Sequence, residues 1–235
     1  MILSRVIFTV ILIISISFFS YNLWKIVRNI RLGKSKNRFD NPLKRLKILF
    51  KIAFGQTKLF ARPASGILHA LVYWGFLVIT IGTLEMMIDG VFGLERSFGV
   101  LGNFYNIAIA SGEIMAILVL LSCLLFMIRR IFLNIKRFSG KEMKTSSSID
   151  AIIALIIISL LMISLLTMNI GYIGIHSNDY VGFYPVSEIL LPFFSNFNLH
   201  VFHDISWWAH ILLVLIFLNE LPYSKHFHVV MSIPN

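Results

Sequence analysis

Residues 203–228 read HDISWWAHILLVLIFLNELPYSKHFH, four histidines set around a long apolar run. About twenty apolar residues in a helix, at roughly 1.5 Å each, match the ~30 Å hydrocarbon core of a bilayer. Lipid offers a backbone no hydrogen-bond partners, so a run of this kind closes its own bonds as a helix. Working outward, four more runs have the same character, and the spans fall at about 2–24, 64–88, 107–132, 149–170 and 199–221. The chain of 235 residues is 57% hydrophobic with a mean hydropathy of +0.83. It reads as an all-α integral membrane protein, one five-transmembrane-helix bundle over residues 1–235.

The formal net charge of +10 would suit nucleic acid if it were spread or clustered on a soluble face. It is instead divided by loop. Of 21 lysines and arginines, twelve lie between Lys25 and Arg62 and six between Arg129 and Lys144, after the first and third spans. The loops after the second and fourth spans carry only Arg96. Basic loops stay cytoplasmic, so the expected topology is N-terminus outside and C-terminus inside, with no nucleic-acid partner. Only Arg5 precedes the first apolar run, which is longer than a signal core and has no small-x-small cleavage pattern; it reads as a retained anchor. The single Cys123 excludes an internal disulfide, a four-cysteine iron–sulfur cluster and a C-x-x-C-H haem attachment within these residues.

Between the first two spans, NPLKRLKILFKIAFG (41–55) alternates basic and apolar residues at helical spacing. It reads as an amphipathic interfacial helix, apolar side toward lipid and basic side toward anionic head groups; a solvated basic loop is the alternative. KRFSGKEMKTSSS (136–148) reads as a polar linker, and residues 171–198, rich in Gly, Pro and Tyr, as an ordered outer cap. Gly66, Gly75 and Gly82 in the second span permit either close helix approach or a flat wall for a macrocycle. No internal repeat supports an inverted-repeat transporter.

Seven histidines occur: His69, His176, His200, His203, His210, His226 and His228. Ionisable groups at membrane depth are costly and mark function. His203 and His210 lie two turns apart on one helix face, and His228 is eighteen residues beyond His210, about five turns or roughly 27 Å if the helix survives Pro222. An imidazole row of this kind suits axial ligands of haem b, which needs no covalent anchor. His69 lies at the basic end of the second span and the last histidines at the basic end of the fifth, so the two groups meet at similar depth. Arg62, with Lys58 or Lys225, is available to propionates.

The spacing of His210 to His228, with PYSKHFH after an apolar span, resembles the nitrate reductase gamma subunit, a five-span cytochrome b. HALVYWGFLVITIGTLEMMIDGVFG (69–93), RRIFLNIKRF (129–138) and WWAHILLVLIFLNELPYSKHFHVVMSIPN (207–235) resemble still more the membrane domain of heterodisulfide-reductase-like iron–sulfur proteins, over nearly the whole chain. The resemblance implies a haem b electron-transfer domain exchanging electrons between a quinone (menaquinone or ubiquinone) and a cytoplasmic iron–sulfur subunit or domain. It implies a bacterial or archaeal cytoplasmic membrane. It pairs His69 with His228 and gives His210 to a second, outer haem. One departure stands out: the nitrate reductase pattern has a histidine where Ile79 stands here. Two bis-histidine haems would then need both His69 and His176, so one haem or two is left open. His226 is an alternative ligand or a propionate partner, and His200 and His203 sit at the outer interface, suited to quinone or solvent as well as to ligation.

Glu85 and Glu113 are candidates for proton handling at a quinone site, with interface solvation or a satisfied hydrogen bond as the plain alternatives. Trp207 and Trp208 read as packing or interfacial anchors. A different class of function, a membrane scaffold or proton-coupled transporter using the histidines as a relay, predicts a colourless protein. Metal transport would want more carboxylates along the path.

Overall fold

The computed structural model describes residues 2–34, 40–133, 145–177, 179–224 and 227–231. Among them every regular element is helical: α1 (Ile2–Ile30), α2 (Pro42–Leu49), α3 (Pro63–Phe92), α4 (Asn103–Ile131), α5 (Thr145–His176), α6 (Pro185–Leu190), α7 (Leu199–Glu220) and α8 (His228–Met231). Five of these, α1, α3, α4, α5 and α7, are long and apolar enough to cross a membrane. A π-helical turn, Phe50–Phe54, continues α2. Most of the 136–148 linker, with Lys225 and His226, lies outside the described residues.

Helix α5 is the centre, packed between α4 and α7; α3 packs on α4, and α1 leans on α3 and α7. Since lipid is as apolar as leucine, helices associate through close fit rather than hydrophobic exclusion. Gly75 illustrates the requirement: a Cβ there would run into the Val119 side chain. Around this contact Ile79, Ala116, Val119, Cys123, Leu161 and Leu166 form one core. A second core joins Phe8 and Leu12 of α1 to Met86, Met168, Ile211 and Leu215. Helices α1 and α7 run the same way: Phe8 meets Trp207 and Trp208 edge-on near one end, and the Tyr223 hydroxyl donates to Asn22 Oδ1 at 2.7 Å near the other. The tryptophans are thus packing elements of this interface.

Two expectations are corrected. The fifth span does not carry a continuous histidine face to residue 228. Pro222 has no N–H to continue the ladder, so α7 ends at Glu220, a 3-10 turn covers Leu221–Tyr223, and Ser224 is extended. The fourth span, in turn, reaches beyond residue 170 to His176, taking Gly171 and Gly174 into the helix. Gly171 faces α7 so closely that a Cβ would lie 2.7 Å from that of His203. Its smallness serves packing here, not a turn.

Candidate functional site

The bundle has two chemically distinct ends. At the basic end, Pro63 occupies the first turn of α3, where its missing N–H costs nothing, and His69 follows almost two turns later, half-buried. His228 opens α8 and is exposed. Although 159 residues apart in sequence, the two rings lie 6.0 Å apart between centroids, with planes within 18°. That separation is too large for face-to-face contact. Two metal–nitrogen bonds of ~2 Å each would set imidazole centroids about 6 Å apart, so the spacing of this pair is compatible with two donors to one metal ion. Arg62 and Lys58 are exposed just before α3.

The opposite end is closed by a polar network. Glu113 of α4 is buried and accepts from the backbone N–H groups of Val186 (2.8 Å) and Ser187 (3.1 Å), from Asn169 Nδ2 (3.1 Å) and from the Ser187 hydroxyl. Tyr184 supplies no side-chain cap to α6, and Pro185 has no N–H, so Glu113 satisfies the first free donors of that helix from another element. Asn169 Oδ1 in turn accepts from Arg96 (2.9 Å). Arg96 lies over the rings of Tyr172 (4.5 Å) and Tyr184 (5.4 Å) and stands 3.9 Å from Glu85. Glu85 also accepts from Phe98 N (2.9 Å) and the Tyr105 hydroxyl (3.0 Å), and the Asp89 carboxylate faces Ser97 N. The Tyr184 hydroxyl donates to Val181 O, and burial pushes it above its ordinary pKa, with Arg96 pulling the other way.

Beneath this cap His210 is buried. Its Nδ1 lies 3.1 Å from Leu161 O and 3.0 Å from Ser164 Oγ. A carbonyl only accepts, so Nδ1 carries the proton and Nε2 is left with its lone pair. His210 lines a cavity of about 90 Å³ with Ile79, Gly82, Glu85, Arg96 and His203. Gly82, unlike Gly75, has nothing within 4 Å of where its Cβ would stand. Small-molecule sites run to roughly 300–1,000 Å³, so the space as it stands holds a few waters or the edge of a ring.

Of the remaining histidines among the described residues, His203 joins His210 at this cavity, and the others lie elsewhere. His176 donates to Tyr172 O (3.0 Å) and stands 3.6 Å from Glu95; both partners line the His210 cavity, which His176 itself does not. His203 stands 3.6 Å from Asp204, and His200 is exposed on the first turn of α7. His226 lies outside the described residues. Among the described residues no three His, Cys, Asp or Glu side chains cluster as metal ligands. Sequence reasoning missed Arg96 and Asn169. The signals were present: one cation in an otherwise cation-free pair of loops, and one amide in an apolar run.

The chain is 27% identical over 234 residues to a protein of Bacillus subtilis (strain 168) named "Probable iron-sulfur-binding oxidoreductase FadF", with 98% of the chain and 32% of that protein covered. It is 24% identical over 240 aligned positions to the "EtfAB:quinone oxidoreductase" of Syntrophomonas wolfei subsp. wolfei (strain DSM 2245B / Goettingen), covering 96% of the chain and 32% of that protein. The chain is related to oxidoreductases. It spans about a third of the length of the curated relatives it matches. No family model and no solved structure matches it.

Proposed function

We propose that this chain is the membrane electron-transfer part of a quinone-linked oxidoreductase, holding one haem b at its basic end. The observation that carries the reading is the approach of His69 to His228 across 159 residues of sequence. A b-type haem there supplies reversible one-electron exchange at iron, with its potential set by ligands, neighbouring hydrogen bonds and burial. His69 and His228 would hold it, and Arg62 and Lys58 would take its carboxylates. The basic end is then cytoplasmic, facing an iron–sulfur partner, in a bacterial or archaeal cytoplasmic membrane.

At the capped end the chain's own residues would meet the edge of a quinone ring, menaquinone or ubiquinone, approaching from the lipid bilayer. Oxidising a quinol releases two electrons, which would leave one at a time through the haem to the iron–sulfur partner, and two protons, so the site needs proton acceptors as well as an apolar slot. His210 Nε2 is a free acceptor for a quinol hydroxyl. Glu85, bridged to Tyr105 and lining the same cavity, receives the proton toward the outer face. Glu113, with four donors on it, holds α6 in place and is the less available of the two carboxylates. The "iron-sulfur-binding" and "quinone oxidoreductase" names of the relatives support both halves of this reading.

The test is a dithionite-reduced minus oxidised spectrum of the detergent-purified, haem-replete protein, with a pyridine haemochrome assay. A b-type α-band at about one haem per chain is expected. A colourless protein overturns the reading and favours the histidine relay.

A further inference from the structure

The segment between α1 and α3 has a face that nothing in the bundle covers. At 100° per residue, Leu43, Leu46 and Phe50 share one arc of α2 and its π-helical extension, and they are 82%, 49% and 57% exposed. Lys44, Lys47 and Lys51 occupy the arc beside it. Arg45, on another side, is paired with Asp40 at 2.8 Å. Among the described residues no carboxylate lies within ion-pair distance of the three lysines. Burial rises toward the end of the element, where Ala53 is buried and Leu49, Ile52 and Phe54 are half-buried. At the same end of the molecule α1 presents Tyr21 and Trp24, stacked at 6.2 Å, with Lys25 over the first ring at 4.3 Å and Arg28 over the second at 5.0 Å. Amphipathic aromatic rings with cations above them are the groups expected at head-group level.

We propose that Pro42–Phe54 docks on the anionic phospholipid surface of the membrane, Leu43, Leu46 and Phe50 entering the acyl boundary and Lys44, Lys47 and Lys51 taking the phosphate head groups. Charge complementarity selects this occupant: the lysines need anions, and the three apolar side chains between them need hydrocarbon rather than water. The docking also reaches α3. Gln56 Nε2 donates to Ala53 O and Thr57 Oγ1 to Lys51 O at 3.0 Å, and Leu59 N donates to Gln56 O at 2.9 Å, linking the element to the turn Leu59–Ala61. The backbone of that turn lies so close to Gly66 that a Cβ there would strike Leu59 O, one turn before His69. A held element therefore seats the start of α3. The lipid docking itself does not depend on what His69 binds.

The experiment is native mass spectrometry of the full chain in detergent, titrated with dioleoyl phosphatidylglycerol or dioleoyl phosphatidylcholine. One lysine near an anionic surface is worth roughly fivefold in affinity, so the wild type should prefer phosphatidylglycerol by on the order of a hundredfold. K44Q/K47Q/K51Q should lose that preference, while L43S/F50S weakens both lipids alike. In nanodiscs, the amides of residues 59–66 should exchange more slowly with phosphatidylglycerol than with phosphatidylcholine for the wild type only. Equal preference in wild type and triple variant, as an acidic protein partner would leave it, overturns the proposal. So does loss of the preference in millimolar inorganic phosphate, which would mark a free-anion site instead.

Discussion

The two ends of this bundle hold their polar groups in opposite ways. At the capped end Glu113, Asn169, Arg96, Glu85 and Tyr105 form one chain of hydrogen bonds and charge contacts joining α3, α4, α5 and α6. At the basic end His69 and His228 face each other at 6.0 Å, one half-buried and one exposed. In a low-dielectric interior an incompletely partnered polar group is expensive, so the capped end is built to be rigid. The contrast is between a connected network that joins four helices and a close approach of two rings from distant parts of the chain.

The sharpest way to break this contrast is to remove a ring from each end. His69→Ala or His228→Ala should lower bound haem from about one per chain to below roughly a tenth by haemochrome assay, since one axial ligand rarely holds a non-covalent haem through purification. His210→Ala should keep its haem while losing quinol turnover. Loss of haem in all three would erase the distinction between the ends.

Next in size is the network itself. Arg96→Leu leaves Glu85 buried beside a lost cation, and should cost about 3 kcal/mol in detergent-unfolding curves, with haem content unchanged. Glu113→Gln keeps the shape but replaces acceptor lone pairs with an amide. We expect about 2 kcal/mol of lost stability and faster proteolysis around residues 179–198. If instead stability holds and quinol turnover falls, Glu113 carries protons and the capped end is less purely structural than drawn. The smallest effect belongs to Ser164→Ala. His210 keeps Leu161 O as its Nδ1 partner, so stability should fall by no more than about 1 kcal/mol, with a modest rise in the quinol KM.

Much of this architecture is legible in the chain because its causes are local. Five apolar runs of bilayer length, and basic residues confined to alternate loops, follow from solvent transfer, which each segment satisfies by itself. The histidines stand out in the chain for the same reason: imidazole is costly in hydrocarbon wherever the neighbours stand. Some positions misled. Arg96, counted only as a topological exception, is the cation joining α3 to α5. His176 looked like a loop residue free to fold inward, but it completes α5 and bonds back to Tyr172. The regular face drawn from His210 to His228 does not survive Pro222.

Sequence by itself determined the helical class, the number of spans and the residue types able to hold a cofactor. Only the tertiary structure decided which of them meet. It set His228 against His69, closed Gly66 and Gly75 by packing while leaving Gly82 open to a cavity, and turned Glu113 into the cap of α6. The physical reason is that partition into lipid sums over single residues, whereas a contact between helices depends on their rotation, depth and distance together. A one-residue change of register turns a helix by about 100°, which moves a side chain from the bundle interior to lipid without altering any apolar run.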